Sequence, residues 1–183
     1  MSGFDEKVMK RAILLARKGV GRTSPNPAVG CVVVKDGETI GEGWHRKAGT
    51  PHAEVHALKQ AGERARGADL YVTLEPCAHF GKTPPCAEAV AAAGITRVFI
   101  GMIDPNPLVS GRGIESLRKS DIKVKVGLCE AGCRALNLPF IKHVTTGLPY
   151  VTMKSAMTMD GKTAALSGDS RWITSESSRK LVH

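Results

Sequence analysis

The chain has 183 residues, of which 42% are hydrophobic and 23% are charged. This composition is typical of an ordinary globular protein and excludes a fibrous or low-complexity chain. The formal net charge of +9 is compatible with nucleic acid or with a small anionic ligand and selects neither. A single compact domain is expected at this length, with a modest segment left over.

Neither a membrane span nor an export signal is visible in the sequence. No apolar run approaches the roughly 20 residues of a transmembrane helix. Residues 1–10 mix acidic and basic side chains where a signal peptide needs an apolar core. We therefore expect a cytoplasmic protein with no membrane partner. In a reducing compartment the five cysteines are expected to bind metal or to be buried rather than to form disulfides.

The first elements in chain order are a helix and a hairpin. Apolar side chains recur with a helical period over residues 5–18. An apolar, β-branched run at residues 29–34 predicts a strand, and Asp36 with Gly37 forms a hairpin turn signal. Residues 39–45 then return antiparallel to the first strand.

The next predicted helix carries two residues of the candidate site. Thr50 is expected to cap this helix and Pro51 to begin it, so that it covers residues 52–65. His52 and Glu54 then lie in its first turn. Because they are two positions apart, they diverge around the helix axis, and one can bind a metal while the other reaches substrate.

Beyond this helix, strands and helices continue to alternate. The predicted segments are a strand at 70–74, a turn-rich stretch at 75–85, a helix at 86–93, a strand at 97–102, a polar loop at 104–113, a short helix, a strand near 122–126, and a helical pattern at 130–144 that Pro139 breaks. This order predicts a three-layer α/β sandwich in which the hairpin is the antiparallel edge and the later strands are parallel. Ligands of such sheets bind at the carboxyl ends of the strands.

A domain boundary is expected near residue 147. Gly147 and Pro149 punctuate the chain before a strand-like run at residues 150–154. The predicted parts are residues 1–147 and residues 148–183. A segment of about 36 residues seldom folds alone, so the second part is expected to be a fragment of a domain or an appendage on the first.

Three candidate metal ligands are the most specific signal in the sequence. His52, Cys77 and Cys86 offer one imidazole and two thiols. Three protein ligands with a fourth position left to water are the arrangement of a catalytic zinc site, whereas a structural site needs four. Two thiolates cancel the charge of Zn²⁺, so a nearby base is needed, and Glu54 is well placed to serve as one.

The spacing of these residues narrows the class of enzyme. H-x-E followed by P-C-x-x-C is a signature of zinc deaminases that act on nucleobases. Here the second cysteine stands nine positions after the first rather than three. The intervening residues 78–85 add a basic loop that contains Gly and Pro, which a generic nucleoside deaminase does not need.

Seven blocks of sequence are shared with one known family. They are TSPNPAVG at 23–30, HAEV at 52–55, YVTLEPC at 71–77, GKTPPC at 81–86, DPNP at 104–107, KSAMTMDG at 154–161 and SGDSRWIT at 167–174. Together they resemble the bifunctional riboflavin-biosynthesis deaminase/reductase family, and the last two blocks resemble the opening of its reductase domain. The resemblance implies a three-layer α/β/α cytidine-deaminase-like sandwich with a mixed five-stranded sheet. It also implies a zinc-dependent deaminase domain at residues 1–147 and an incomplete N-terminal fragment of a reductase domain at residues 148–183.

The activity implied by the resemblance is a hydrolytic deamination. The substrate would be 2,5-diamino-6-(5-phosphoribosylamino)pyrimidin-4(3H)-one, and the products 5-amino-6-(5-phosphoribosylamino)uracil and ammonia. One Zn²⁺ per chain would activate water at His52, Cys77 and Cys86, and Glu54 would be the catalytic residue that carries the proton.

The resemblance assigns six further residues to binding of the phosphorylated pyrimidine. They are Asn26, His45, His79, Lys82, Asp104 and Asn106. Lys82 suits a phosphate as a point charge, and the asparagines can pair with base or ribose edges. The residues themselves leave alternatives open, because both asparagines precede prolines and can initiate turns. His45 can likewise be a surface residue at a strand end, and Lys82 a solvated loop charge.

The segment after residue 147 carries expectations of its own. The resemblance places nicotinamide-cofactor contacts at Ala156 and Trp172 and a reductase-substrate contact at Ser170. The residues alone predict only two short strands joined by a turn. We expect NADPH only in a complete reductase domain, and we expect no reductase activity from this chain because it stops at His183.

Two other functions compete with this interpretation. A tRNA-editing or nucleoside deaminase would use the positive charge for a polynucleotide, but an aromatic content of 4% supplies few stacking platforms, so no nucleic-acid partner is predicted. A catalytically silent zinc scaffold would not need Glu54 beside an open metal position.

Cys31, Cys129 and Cys133 are expected to be small buried side chains, with metal binding by Cys129 and Cys133 as the alternative. Apolar side chains in the last segment predict disorder or coverage by another chain, and a homo-oligomer is expected.

Overall fold

The computed structural model describes residues 2–80, 84–107 and 109–182. It separates into two compact units, Met1–Tyr150 and Val151–His183. The strands of the first unit are β1 (Gly30–Lys35), β2 (Glu38–Trp44), β3 (Asp69–Leu74), β4 (Arg97–Met102) and β5 (Lys123–Val126). Its helices are α1 (Gly3–Arg17), α2 (Ala53–Ala61), α3 (Cys86–Ala92), α4 (Arg112–Lys119), α5 (Glu130–Leu136) and α6 (Leu138–Thr146), with a 3-10 turn at Gly62–Ala65.

The five strands form one mixed sheet in the order β2-β1-β3-β4-β5. Strand β1 is antiparallel to both β2 and β3, whereas β3, β4 and β5 run parallel to one another. The predicted antiparallel hairpin at one edge and the predicted parallel strands are therefore confirmed. The parallel strands all end at the same edge of the sheet, where ligands of such folds bind.

Helices cover both faces of this sheet. Along β1, Cys31 and Val33 pack into a cluster with residues of α2, α3 and α4. Val32 and Val34 point to the other face and pack into a cluster with residues of α1 and α5. Alternate residues of a strand face opposite sides, so one apolar run serves two cores. The three-layer α/β/α sandwich is confirmed.

The helix that carries His52 and Glu54 begins differently from the prediction. Helix α2 starts at Ala53, His52 is its N-cap residue, and no side chain caps it. The Thr50 hydroxyl instead donates to the carbonyl of Lys47 at 2.7 Å, because Thr50 lies two positions before the cap and its oxygen is used in the preceding turn. The assignment of Thr50 as the cap was wrong. The α-helix also ends at Ala61, and the 3-10 turn completes the predicted segment.

The break in the segment 130–144 also lies at another residue. Helix α5 ends at Leu136 and α6 begins at Leu138, so the chain turns at Asn137. Pro139 lies in the first turn of α6. Backbone N–H groups in the first turn have no acceptor within the helix, so the lack of an N–H in proline does not destabilise the helix there. The proline therefore starts the second helix rather than breaking a first one.

In the second unit, the described residues contain no strand, and the strand predicted at 150–154 is absent. A strand needs neighbours to satisfy its backbone groups, and a short segment supplies few. The regular element of this unit is α7 (Glu176–Val182), which was not predicted. None of the helices in the described ranges of the chain has the length and apolar character needed to cross a bilayer.

Candidate active site

The structure brings His52, Cys77 and Cys86 together from three separate segments. His52 precedes α2, Cys77 lies three residues after the end of β3, and Cys86 is the first residue of α3. Their ligand atoms all lie within 4.8 Å of one another. The Nδ1 atom of His52 is 3.2 Å from Sγ of Cys86 and 3.6 Å from Sγ of Cys77. A tetrahedral zinc site with the usual bond lengths has an edge of about 3.6 Å between nitrogen and sulfur, so this cluster has the size of a zinc site.

Close packing of α2 against β2 holds His52 at this point. A Cβ atom on Gly43 of β2 would lie 2.2 Å from the carbonyl oxygen of Ala53, the first residue of α2. No side chain fits in that space, so glycine lets the start of the helix rest directly on the strand. The position of His52 and Glu54 therefore depends on a missing side chain in the neighbouring strand.

One of the two thiols, Cys77, is shifted toward the form that binds a cation. The pKa of Cys77 is lowered to about 4, chiefly by a hydrogen bond from the Cys86 side chain and also by hydrogen bonds from His52 and from the Cys86 backbone. The Cys86 N–H donates to Cys77 Sγ at 3.3 Å. The pKa of Cys86 rises correspondingly because its thiol donates to Cys77. A thiolate is the form of cysteine that binds metal, so the donor set fits zinc.

Glu54 is the carboxylate beside these ligands. Its side chain is buried, and burial raises its pKa to about 7. Its Oε2 atom has no hydrogen-bond partner among the described residues. Buried polar atoms are nearly always paired, so each exception calls for an explanation. A metal, a water molecule or a substrate at the neighbouring cluster supplies one.

A cavity of about 710 Å³ opens at the carboxyl ends of β3 and β4 and includes Glu54 in its wall. This volume suits a small-molecule ligand. The cavity is lined by Pro25, Asn26, Pro27, Val29, His45, Ala48, Gly49, Thr50, His52, Glu54, Leu74, Glu75, Cys77, His79, Asp104, Asn106, Val109, Arg112 and Phe140. Five of the six predicted substrate residues are in this wall. The sixth, Lys82, lies outside the described residues.

His45 and Asn26 form a pair in the cavity wall. The carbonyl of Pro51 can only accept, so Nδ1 of His45 donates to it at 3.3 Å. Nε2 of His45 then accepts from the amide of Asn26 at 3.2 Å. Burial lowers the pKa of His45, which agrees with a neutral ring of this tautomer. His45 is 2% exposed, so the alternative of a surface residue is wrong.

Asp104 and Asn106 occupy the segment that follows β4. The Oδ1 atom of Asp104 accepts from the backbone N–H of Asn106 at 2.9 Å, which closes a short turn. Burial raises the pKa of Asp104. The Asn106 carbonyl in turn accepts from the N–H groups of Val109 at 3.0 Å and Ser110 at 2.9 Å, so the turn that the Asn106-Pro107 dipeptide indicated is present, and Asp104 and Asn106 both line the cavity. His79 lines it from the exposed loop after Cys77.

Comparison with known proteins agrees with this geometry. Residues 2–102 match the family described as the cytidine and deoxycytidylate deaminase zinc-binding region. The chain belongs to this zinc-binding deaminase family. Residues 149–183 match a second family, the RibD C-terminal domain.

Individual relatives extend the match to nearly the whole chain. The riboflavin biosynthesis protein RibD of Aquifex aeolicus is 57% identical over 180 residues, which are 98% of this chain and 51% of the relative. A crystal structure from Thermotoga maritima, titled a diaminohydroxyphosphoribosylaminopyrimidine deaminase/5-amino-6-(5-phosphoribosylamino)uracil reductase, is 50% identical with a TM-score of 0.91 and covers 97% of this chain and 52% of that one. The chain thus spans about half the length of the curated relatives it matches. The expected resemblance to the riboflavin-biosynthesis family is confirmed.

A more distant structure confirms the predicted cytidine-deaminase-like fold. The dCMP deaminase of the cyanophage S-TIM5 is 23% identical, with a TM-score of 0.54, and the match covers 69% of this chain and 98% of that one. At this level of identity the likeness concerns the fold alone.

Several residues of the deaminase cavity carried no sequence assignment. Glu75, Arg112 and Phe140 line it but lie outside the metal signature. Glu75 stands within the YVTLEPC block, so that block was the available signal. Arg112 and Phe140 come from α4 and α6, and only the tertiary structure shows that these helices reach the site.

The remaining cysteines of the first unit are separate from this cluster. All five cysteines of the chain are free thiols. Cys31 and Cys133 are fully buried, as expected. Cys129 is only partly buried, and it occupies the left-handed N-cap position of α5, with φ 54°.

The three residues assigned to reductase functions lie in the second unit. Ala156 is partly buried and Ser170 is exposed. The Trp172 ring is 72% exposed, and the guanidinium of Arg179 lies over it at 4.0 Å from the ring centroid.

Proposed function

We propose that this chain catalyses the zinc-dependent hydrolytic deamination of 2,5-diamino-6-(5-phosphoribosylamino)pyrimidin-4(3H)-one to 5-amino-6-(5-phosphoribosylamino)uracil. The observation that carries the proposal is the cluster of His52, Cys77 and Cys86, with an unpartnered Glu54 oxygen in the wall of the adjoining cavity. The substrate is proposed from the relatives: one is a riboflavin biosynthesis protein, and the Thermotoga maritima protein is named as a diaminohydroxyphosphoribosylaminopyrimidine deaminase.

One zinc ion per chain is proposed at these three ligands. An imidazole with two thiolates is a donor set that suits zinc, and three protein ligands leave one coordination position open. When bound, zinc supplies Lewis-acid activation of a water molecule. No fourth cysteine or histidine joins the cluster among the described residues, as expected for a catalytic rather than a structural site.

Glu54 carries the protons of the reaction in this proposal. It accepts a proton from water as the water oxygen bonds to the ring carbon, and it delivers this proton to the ring nitrogen. It then takes the proton of the newly added hydroxyl and transfers it to the amine, so that the C–N bond breaks, ammonia departs and the carbonyl of the product forms. The absence of a fixed partner for its Oε2 atom leaves that oxygen available for both transfers. The deep burial of the side chain keeps bulk water from competing for these protons.

The other cavity residues hold the substrate. We assign Asn26 and His45, which hydrogen-bond to each other, and Asp104 with Asn106 to the polar edges of base and ribose. His79 and Lys82 belong to the loop between the two cysteines. We assign the phosphate to Lys82 from the sequence alone, because it offers a point charge.

The proposal extends to location and partners on sequence grounds. We place the reaction in the cytoplasm and the enzyme in a homo-oligomer, with neither a nucleic-acid nor a membrane partner. NADPH belongs to a complete RibD C-terminal domain, where we assign cofactor contacts to Ala156 and Trp172 and a reductase-substrate contact to Ser170. The match of residues 149–183 to that domain supports this assignment.

The decisive experiment measures ammonia release from the diaminopyrimidine ribotide, with and without removal of zinc by a chelator. The parent is expected to release ammonia, and Glu54→Gln is expected to keep about one zinc per chain but to lose activity by about 100-fold or more. Glu63→Gln is the matched control, because Glu63 is exposed in the 3-10 turn after α2. Equal rates for the parent and Glu54→Gln would remove Glu54 from the mechanism. Deamination of tRNA or of free nucleosides in place of the ribotide would refute the assigned substrate.

A further inference from the structure

The Glu75 carboxylate gathers four backbone N–H groups. Its Oε1 atom accepts from Gly113 at 2.9 Å and from Ile114 at 3.2 Å. Its Oε2 atom accepts from Asp104 at 3.1 Å and from Gly111 at 3.0 Å. The side chain is buried, with 5% of the residue exposed. Both oxygens of one buried carboxylate are thus committed to main-chain donors.

These donors lie at the two ends of one segment. Asp104 follows β4, and the other three donors lie at the start of α4. The carboxylate therefore closes the connection between β4 and α4 into a loop whose ends are tied to one point. At Gly113 a Cβ atom would lie 1.9 Å from the carbonyl oxygen of Pro76, so the start of α4 rests directly on the chain beside Glu75.

The tied segment forms one side of the cavity. Asp104, Asn106, Val109 and Arg112 all line it. Glu75 itself stands two positions before Cys77 and directly follows β3. One side chain thus connects the segment that carries a metal ligand with the segment that carries the proposed substrate contacts.

We propose that Glu75 is a positioning residue that sets substrate affinity by holding the 104–114 segment against the metal-ligand segment, an inference that rests on the proposed deaminase function. Both oxygens of Glu75 are hydrogen-bonded to main-chain donors, so it acts through the segment that it holds. Hydrogen bonds to a charged acceptor are the stronger kind, and replacing one oxygen by an amide NH₂ turns two of the four contacts into donors facing donors. The loss of two such bonds is enough to change a loop equilibrium by about tenfold or more.

The first test is independent of enzymatic activity. Hydrogen–deuterium exchange of the peptides that cover residues 104–114 is measured for the parent, Glu75→Gln and Tyr71→Phe. Tyr71→Phe is the matched control, because it removes a partly buried hydrogen bond of the same strand β3. In that bond the Tyr71 hydroxyl donates to Asp5 at 2.8 Å. Exchange of this segment is expected to accelerate about tenfold or more in Glu75→Gln and to stay unchanged in Tyr71→Phe. Unchanged exchange in Glu75→Gln would overturn the proposal.

The second test separates affinity from turnover. With the diaminopyrimidine ribotide, KM of Glu75→Gln is expected to rise about tenfold or more, while kcat changes less than about threefold and zinc stays near one per chain. An unchanged KM, or loss of zinc without a change in KM for the loaded fraction, would overturn the positioning role. If the parent shows no deamination, the proposed function fails, and the exchange experiment still decides whether Glu75 orders the segment. If Glu75→Gln does not fold, Glu75→Asp, which keeps the charge and shortens the side chain by one methylene, is measured in both experiments with the same expected directions.

Discussion

Asn137 holds two distant parts of the first unit together, and its removal is expected to destabilise the protein strongly. Its Oδ1 atom accepts from the backbone N–H of Ala28 at 2.8 Å, and its Nδ2 atom donates to the Ala28 carbonyl at 3.0 Å. The two residues are 109 positions apart, and Asn137 is 3% exposed. Asn137→Ala removes both hydrogen bonds and leaves two buried backbone groups of Ala28 without partners.

The magnitude follows from these two unpaired groups. Each buried donor or acceptor left unsatisfied costs about 1 to 3 kcal/mol, so the free energy of unfolding should fall by about 2 to 6 kcal/mol. For a unit of this size, each kcal/mol shifts Tm by about 2 to 4 °C. Tm of Asn137→Ala should therefore fall by about 4 to 24 °C.

The assay is urea unfolding followed by circular dichroism at a fixed, saturating zinc concentration, because a metal that binds the folded state raises apparent stability. Lys142→Ala is the control, because Lys142 is exposed on α6 and its truncation should change the free energy by less than about 0.5 kcal/mol. A loss below about 0.5 kcal/mol for Asn137→Ala would refute the reasoning. The folded fraction of Asn137→Ala is also expected to bind substrate poorly. Ala28 loses its partner in this variant, and its neighbours Pro27 and Val29 line the cavity.

Two further predictions concern the support of the site and the surface. Gly43→Val should cost about 1 to 3 kcal/mol through overpacking and lower the zinc content, because its Cβ would meet the Ala53 carbonyl; Gly3→Ala, where a Cβ meets nothing within 4 Å, should change neither. Glu42 accepts two hydrogen bonds from Arg11, and these bonds are the main reason that the pKa of Glu42 is lowered. The contribution of Glu42 to the free energy of unfolding is therefore complete above its unfolded-state pKa and is lost as the pH falls through its folded-state pKa. Glu42→Gln should therefore cost about 0.5 to 1 kcal/mol near pH 7 after solvent screening and about nothing near pH 2, as measured by urea unfolding at both pH values. A stability difference that persists undiminished at low pH would contradict this sign.

The sheet and the metal cluster were predictable because each leaves a local pattern. The alternating apolar run of β1 faces two cores, and the apolar face of α1 is buried as its period indicated. The ligands His52, Cys77 and Cys86 have side chains that few structural roles require in that order, so their chemistry is readable before folding. The resemblance to one family then supplied the residues that spacing alone leaves open.

Two features that the sequence did not reveal depend on partners distant in the chain. The turn at Asn137 was assigned to Pro139, because a proline is visible in the sequence, whereas the pairing of Asn137 with Ala28 is visible only in three dimensions. Likewise, the donors to Glu75 are backbone N–H groups, which every residue except proline possesses. A contact made by main-chain atoms leaves no residue signature.

Sheet topology explains why the chemistry converges at one edge. β3 and β4 are parallel neighbours, so Glu75 and Cys77, which follow β3, and Asp104, which follows β4, emerge side by side. α2 rests on the hairpin strand β2 through Gly43 and brings His52 and Glu54 to the same edge from the antiparallel side. The cavity wall therefore combines polar groups from the ends of parallel strands with polar groups from the start of a helix. These segments are distant in sequence, so the chain itself does not fix the distances between them. In our proposal, side chains that bridge two segments, such as Glu75, keep the metal ligands and the substrate contacts at the correct distance from each other.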